Sequence, residues 1–150
     1  MRLFLTIEGQ NCTENGLVEI LEETKKKLSF VTEKEMDAQP QNNDYGTEFR
    51  LICVIPTCVD DTFWDALGWK ERKLISRKKG EADIRLRINY EHFMKSTARE
   101  QRLLFYGIII KSIQVVQERA VGDFRGNELI ADILSALDVS EEELKSLEAL

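Results

Sequence analysis

Residues 82–90 read Ala-Asp-Ile-Arg-Leu-Arg-Ile-Asn-Tyr, and residues 103–119 read Leu-Leu-Phe-Tyr-Gly-Ile-Ile-Ile-Lys-Ser-Ile-Gln-Val-Val-Gln-Glu-Arg. In the first stretch Ala82, Ile84, Leu86, Ile88 and Tyr90 alternate with Asp83, Arg85, Arg87 and Asn89. That period of two predicts a strand with one buried face and one wet face. In the second stretch the spacing is helical, and its apolar surface is too broad for a helix that merely lines a surface. A sheet laid over a deeply buried helix follows from these two stretches.

Outward from them, the elements fall into order. Met1 to Glu8 alternates Leu3, Leu5 and Ile7 with polar residues and predicts an opening strand. Thr13 or Asn15 offers an N-cap for a helix carrying Leu17, Val18, Ile20, Leu21 and Leu28, with Glu22–Lys26 and Glu23–Lys27 as i,i+4 pairs. Phe30-Val31 is read as the start of a short extended segment, and residues 39–44 as a polar loop. Thr47 to Ile55 is apolar on both sides, so it is expected at the centre of the sheet. Residues 59–69 suggest a short helix capped by Asp60 or Asp61 and stopped at Gly68. Lys70 to Arg77 and Ala82 to Tyr90 read as strands joined by a hairpin at Lys78-Lys79-Gly80-Glu81.

Beyond Tyr90 a polar break is expected, and then Thr97-Ala98-Arg99-Glu100 as a capping box that opens the long helix. Gly107 inside that helix marks either close packing or a weak point. Gly122 and Gly126 bracket a break before a third amphipathic helix through Leu129 to Leu137. Ser140 to Glu143 forms a second capping box before a short last helix. The expected fold class is therefore α+β. It has a mostly antiparallel sheet of four to five strands, a long buried helix, and C-terminal helices packed on one face. With 150 residues and no linker or repeat, one domain over 1–150 is expected.

Charge is unevenly spread. The net charge of −6 divides into −7 over residues 1–69, +6 over 70–99, +1 over 100–120 and −6 over 121–150. A basic hairpin thus stands between two acidic flanks, which bears on partners and steering and not on fold. No apolar run approaches the roughly 20 residues that span a bilayer. Met1 to Leu5 is too short for a secretory signal. Cys12, Cys53 and Cys58 are odd in number and make a poor disulfide framework. These features predict a cytoplasmic protein without a membrane partner.

Chemistry is harder to find. His92 is the single histidine, and nothing identifies the partners a triad would need. No cysteine or histidine spacing suits a metal, and the glycines compose no phosphate-binding loop. No enzyme activity, cofactor or metal is therefore expected. Asp60, Asp61 and Asp65 are explained by helix capping as readily as by a carboxylate site. Trp64 and Trp69 either cover the edge of the core or anchor an interface, where nearby carboxylates favour a basic partner. Arg72, Lys73, Arg77, Lys78, Lys79, Arg85 and Arg87 raise a nucleic-acid reading. The pI near 5.0, the interleaved acids and the lack of stacking aromatics favour an ordinary wet face or ion pairs with the acidic flanks. A homodimer pairing through the C-terminal helices is a further alternative.

Taken together, Ala82 to Phe93, Ile108 to Arg119 and Asn127 to Leu134 resemble the immunity proteins of bacterial polymorphic toxin systems, in the class numbered forty-four. The resemblance covers roughly residues 70–137, with Met1 to Ile7 and the tryptophan segment compatible. It implies a small cytoplasmic α+β protein that binds and neutralises a cognate toxin, often a nuclease, without chemistry of its own. On that reading an acidic surface would occlude the toxin's basic cleft. Asp60, Asp61, Trp64, Asp65 and Trp69 are the preferred contact residues, and Glu141 to Glu143 the alternative.

Overall fold

The computed structural model describes residues 3–9, 16–32, 48–57, 75–78, 81–118, 120 and 122–148. Its elements are β1 (Phe4–Gly9), α1 (Leu17–Lys27), β2 (Glu48–Ile55), β3 (Ile75–Lys78), β4 (Glu81–Asn89), α2 (Tyr90–Lys95), α3 (Ala98–Gln117), α4 (Gly126–Leu137) and α5 (Glu141–Glu148). The described strands form one sheet in the order β1-β2-β4-β3, with every neighbouring pair antiparallel. The fold is α+β, as the alternating and helical periods required. β2 lies between β1 and β4, which explains why Ile52 and Val54 are apolar on the side away from the helices.

Register places Leu5, Cys53 and Ile84 in one row, and Ile7, Leu51 and Leu86 in the next. Together with Phe49, Ile55, Ala82 and Ile88 these side chains make the apolar face on which the helices pack. Within α3, Phe105, Ile109, Ile113 and Val116 are wholly buried, at spacings that keep them on one stripe. A second stripe of Leu103, Tyr106 and Ile110 is almost as deep, because α4 and α5 pack against the helix from outside. Ser112, also buried, donates its hydroxyl to the Ile108 carbonyl at 2.7 Å, so its polar group costs little there. Only Lys111, Gln114 and Glu118 remain exposed along the last three turns.

Several local expectations change. Helix α1 starts after Gly16, which has φ 74° and gives no side-chain cap; Thr13 and Asn15 lie outside the described residues. Glu23 pairs with Lys27 at 3.4 Å as read, but Glu22 approaches Lys25 at 3.8 Å, its i+3 neighbour, in place of Lys26. Phe30-Val31 belongs to a turn closed on Leu28, and among the described residues its extended pairing is one bridge between Leu3 and Thr32; residues 33–47 lie outside the described residues. The polar break after β4 is instead helix α2. Asn89 ends the strand and caps that helix, its Oδ1 accepting from the His92 backbone N–H at 3.0 Å. Tyr90 therefore opens a helix and does not end a strand. The proposed helix over 59–69 and residues 70–74 of the proposed strand lie outside the described residues.

Capping at the long helix is as expected. Thr97 Oγ1 accepts from the Glu100 N–H at 3.2 Å, and Glu100 Oε1 accepts from the Thr97 N–H at 2.9 Å. At the last helix, Ser140 Oγ accepts from the Glu143 N–H at 3.2 Å.

Two glycines predict opposite outcomes. A Cβ on Gly9 would stand 2.6 Å from Phe49 Cβ and 2.9 Å from Tyr90 Oη, too close for either neighbour. Gly9→Ala is expected to destabilise by about 1–3 kcal/mol through overpacking. At Gly107 a Cβ would meet nothing within 4 Å, so this glycine is a weak point and not a close contact. Gly107→Ala should stabilise by about 0.5–1 kcal/mol, the helix-interior cost of glycine. Urea unfolding of both variants checks the pair.

Candidate partner-binding surfaces

The preferred contact residues Asp60, Asp61, Trp64, Asp65 and Trp69 lie outside the described residues, as do Arg72, Lys73 and Lys79. Arg77 and Lys78 take register positions opposite Ala82 and Glu81. Three described surfaces bear on partner binding: the sheet face away from the helices, a cleft over α3, and the outer side of α4 and α5.

The sheet face is less wet than its alternation suggested. Thr6, Glu8 and Ile52 are all buried on it, with Glu8 only 7 % exposed. Register sets Glu8 opposite Arg50 and Arg50 opposite Arg87, while Ile52 stands opposite Arg85. The Arg85 Nη1 donates to Glu8 Oε1 at 3.1 Å, and Arg87 Nη1 to Glu48 Oε2 at 3.4 Å. Acids from the first part of the chain therefore answer the arginines of the hairpin. The ion-paired reading of the basic cluster holds for these two residues, and the field left for phosphate is correspondingly smaller.

On the helical side, α3 is tied to its neighbours by charge. The Arg102 guanidinium meets Glu23 of α1 with two prongs, Nε to Oε1 at 3.0 Å and Nη2 to Oε2 at 2.9 Å. Arg99 pairs with Glu143 of α5, and Lys27 Nζ lies 3.4 Å from the Tyr106 hydroxyl. Between these pairs opens a cleft of about 320 Å³, lined by Lys27, Arg99, Arg102 and Tyr106 around Leu103, Leu137 and Val139. The sequence could show that Arg99 and Arg102 share a helix face. It could not show that Glu23, 79 residues away, meets Arg102, or that Lys27 reaches Tyr106 across the same distance in sequence.

These contacts shift the acids that make them. The Arg102 hydrogen bonds hold the Glu23 carboxyl below its ordinary 4.5. Glu143 is lowered first by Arg99, and Glu100 first by its bond from the Thr97 backbone. For Lys27, burial opposes the charge, but the Tyr106 phenol and Glu23 outweigh it and raise the ammonium above 10.5. A carboxyl whose folded value is depressed stabilises the fold fully above its unfolded value and loses that contribution as pH falls through the folded one. Melting temperature should therefore decline as pH drops below the ordinary 4.5 of these three acids. Arg102→Leu should flatten that decline by removing the Glu23 share, and thermal melts from neutral to acid pH test it.

The outer side of the last two helices is acidic. Glu128, Asp132, Asp138, Glu141 and Glu142 are all exposed. Arg125 stands 3.7 Å from Glu128, whereas no cation lies within ion-pair distance of Asp132, Asp138, Glu141 or Glu142 among the described residues. A groove of about 370 Å³ runs between the helices beside Leu134, Asp138, Ser140 and Glu143. The backbone turns there through Asp138 at φ 55°, which ends α4.

His92 sits half-buried in the first turn of α2, where its backbone serves the Asn89 cap and its carbonyl accepts from Ser96 Oγ at 2.9 Å. Cys53 is in no disulfide and is wholly buried in the core. Among the described residues no three His, Cys, Asp or Glu side chains gather as a metal-binding group. No described helix is long and apolar enough to cross a membrane.

The family model for immunity protein 44 matches residues 1–139 of the chain. No curated protein and no solved structure matches it.

Proposed function

The chain belongs to the immunity protein 44 family, and from that membership we propose that it binds one cognate bacterial toxin and neutralises it by covering the toxin's working surface. The match over residues 1–139 carries this reading. The protein acts as a non-enzymatic binder in the cytoplasm, where the toxin's target lies. A nuclease is the toxin class that the charge favours, because a nuclease cleft is built to attract phosphates and an acidic surface substitutes for them.

Two acidic surfaces are proposed for that contact. One is the exposed side of α4 and α5, where Asp132, Asp138, Glu141 and Glu142 stand without cationic partners among the described residues. The other is the tryptophan segment, in which Asp60, Asp61 and Asp65 would steer and Trp64 and Trp69 would anchor. Complementary fields speed encounter, and desolvated aromatic anchors slow release. A nucleic-acid partner fits less well, since Arg85 and Arg87 are already paired with Glu8 and Glu48.

The direct test is co-expression with the toxic domain encoded in the neighbouring reading frame. Cells carrying both proteins should grow, and the two should co-purify. Growth arrest in the presence of the wild-type chain would refute the proposal. Trp64→Ala with Asp61→Ala should weaken capture without lowering the melting temperature; undiminished capture would remove the tryptophan segment from the contact.

A further inference from the structure

Beside the acidic face lies a recess of opposite character, and the turn through Asp138 and Val139 is the ridge between them. Val139 lines both depressions. We infer that the cleft over α3 is a socket for a carboxylate side chain carried by the toxin. The inference rests on the toxin-binding reading above and names a contact within it.

Three cations, Lys27, Arg99 and Arg102, converge on this cleft around an apolar floor of Leu103, Leu137 and Val139. An apolar floor with a few convergent polar groups is the usual composition of a binding recess. Donors remain to be used. Arg99 spends Nη2 on Glu143, and its Nε and Nη1 make no other bond among the described residues. Lys27 reaches Tyr106 Oη and Glu23 only at 3.4 Å each, both long for a charge-assisted bond.

Charge counting then selects the ligand. Glu23 and Glu143 neutralise two of the three cations, which leaves one positive charge in excess. That suits a monoanionic carboxylate better than a phosphate dianion. The Leu103 floor takes up the methylene stem of an Asp or Glu side chain. One turn further along the same helix face, Gly107 has open space where a side chain would stand, which leaves room for the backbone that carries the acid.

Two measurements on the full chain decide the matter. In the first, side-chain resonances of Arg99, Arg102 and Lys27 are followed by NMR while a blocked Gly-Asp-Gly peptide is added, with blocked Gly-Asn-Gly as the neutral control. Saturable shifts with the Asp peptide alone, abolished by Lys27→Met, support the socket. Equal shifts with both peptides, or none, overturn it. In the second, toxin affinity is compared between the wild-type chain and Lys27→Glu at matched melting temperature. A loss of roughly tenfold or more is expected for a charge that meets its opposite across an interface. Wild-type capture with no loss in the variant overturns the socket while leaving the immunity role standing. Failure of the wild-type chain to capture any toxin, with the Asp-peptide shifts present, overturns the immunity role and the toxin as the source of the carboxylate.

Discussion

Phe49→Ala is expected to lower the unfolding free energy by about 3–5 kcal/mol, the usual cost of emptying an aromatic site in a packed core. Phe49 is wholly buried on the central strand and touches three other rings. Its centroid lies 5.0 Å from Tyr90, 5.3 Å from Phe93 in an edge-to-face arrangement, and 6.3 Å from Phe105. Phe93 and Phe105 also meet directly at 5.9 Å. One side chain thus joins β2, α2 and α3, and aromatic pairs of this geometry add to the area they bury. Collapse around the vacancy is restricted, because Gly9 already packs tightly on the Phe49 backbone. The melting temperature should fall by roughly 6–20 °C for a domain of this size. Equilibrium urea unfolding with an unchanged slope is the measurement, and a loss below about 1 kcal/mol would mean that this cluster is not the centre of the core.

On the proposed acidic contact, Asp132→Lys combined with Glu142→Lys is expected to slow association with the toxin by about tenfold or more at low salt. Both acids are exposed and have no cation in reach among the described residues, so their field projects outward instead of being spent inside the fold. The double variant changes the net charge from −6 to −2, which keeps the chain acidic enough to remain in solution. Glu142 sits in the first turn of α5, where a lysine opposes the helix dipole at a cost of up to about 1 kcal/mol. A melt recorded beside the kinetics separates that cost from the loss of steering. The gap between variant and wild type should close as salt rises, because exposed charges are screened within about 8–10 Å at moderate ionic strength. Equal association rates at low salt would exclude the C-terminal helices from the encounter surface.

Much of this architecture was legible in the residues. The alternation at Ala82 to Ile88 and the apolar pattern of Phe49 to Ile55 identified two strands and which faces they bury, because side-chain period follows backbone geometry directly. The Thr97–Glu100 box was equally plain, since a cap is a contact between residues three apart. Helix α2 is not legible in the sequence, because a six-residue helix offers too few positions for a period to show and its cap, Asn89, also ends strand β4. The tryptophan segment, first choice for the toxin contact, lies outside the described residues and stands as a proposal.

What the chain decided alone is local: which stretches become strand or helix, which side of each is apolar, and where the acidic and basic blocks fall. Only the tertiary structure decided that Glu23 and Lys27 of α1 would meet Arg102 and Tyr106 of α3, and that Glu8 and Glu48 would quench Arg85 and Arg87. It also decided that the α4–α5 acids would be left facing outward. Pairings between residues 39 to 79 positions apart depend on how helices and strands dock. Docking is set by the sum of many small apolar contacts in the core, which no single spacing in the sequence records.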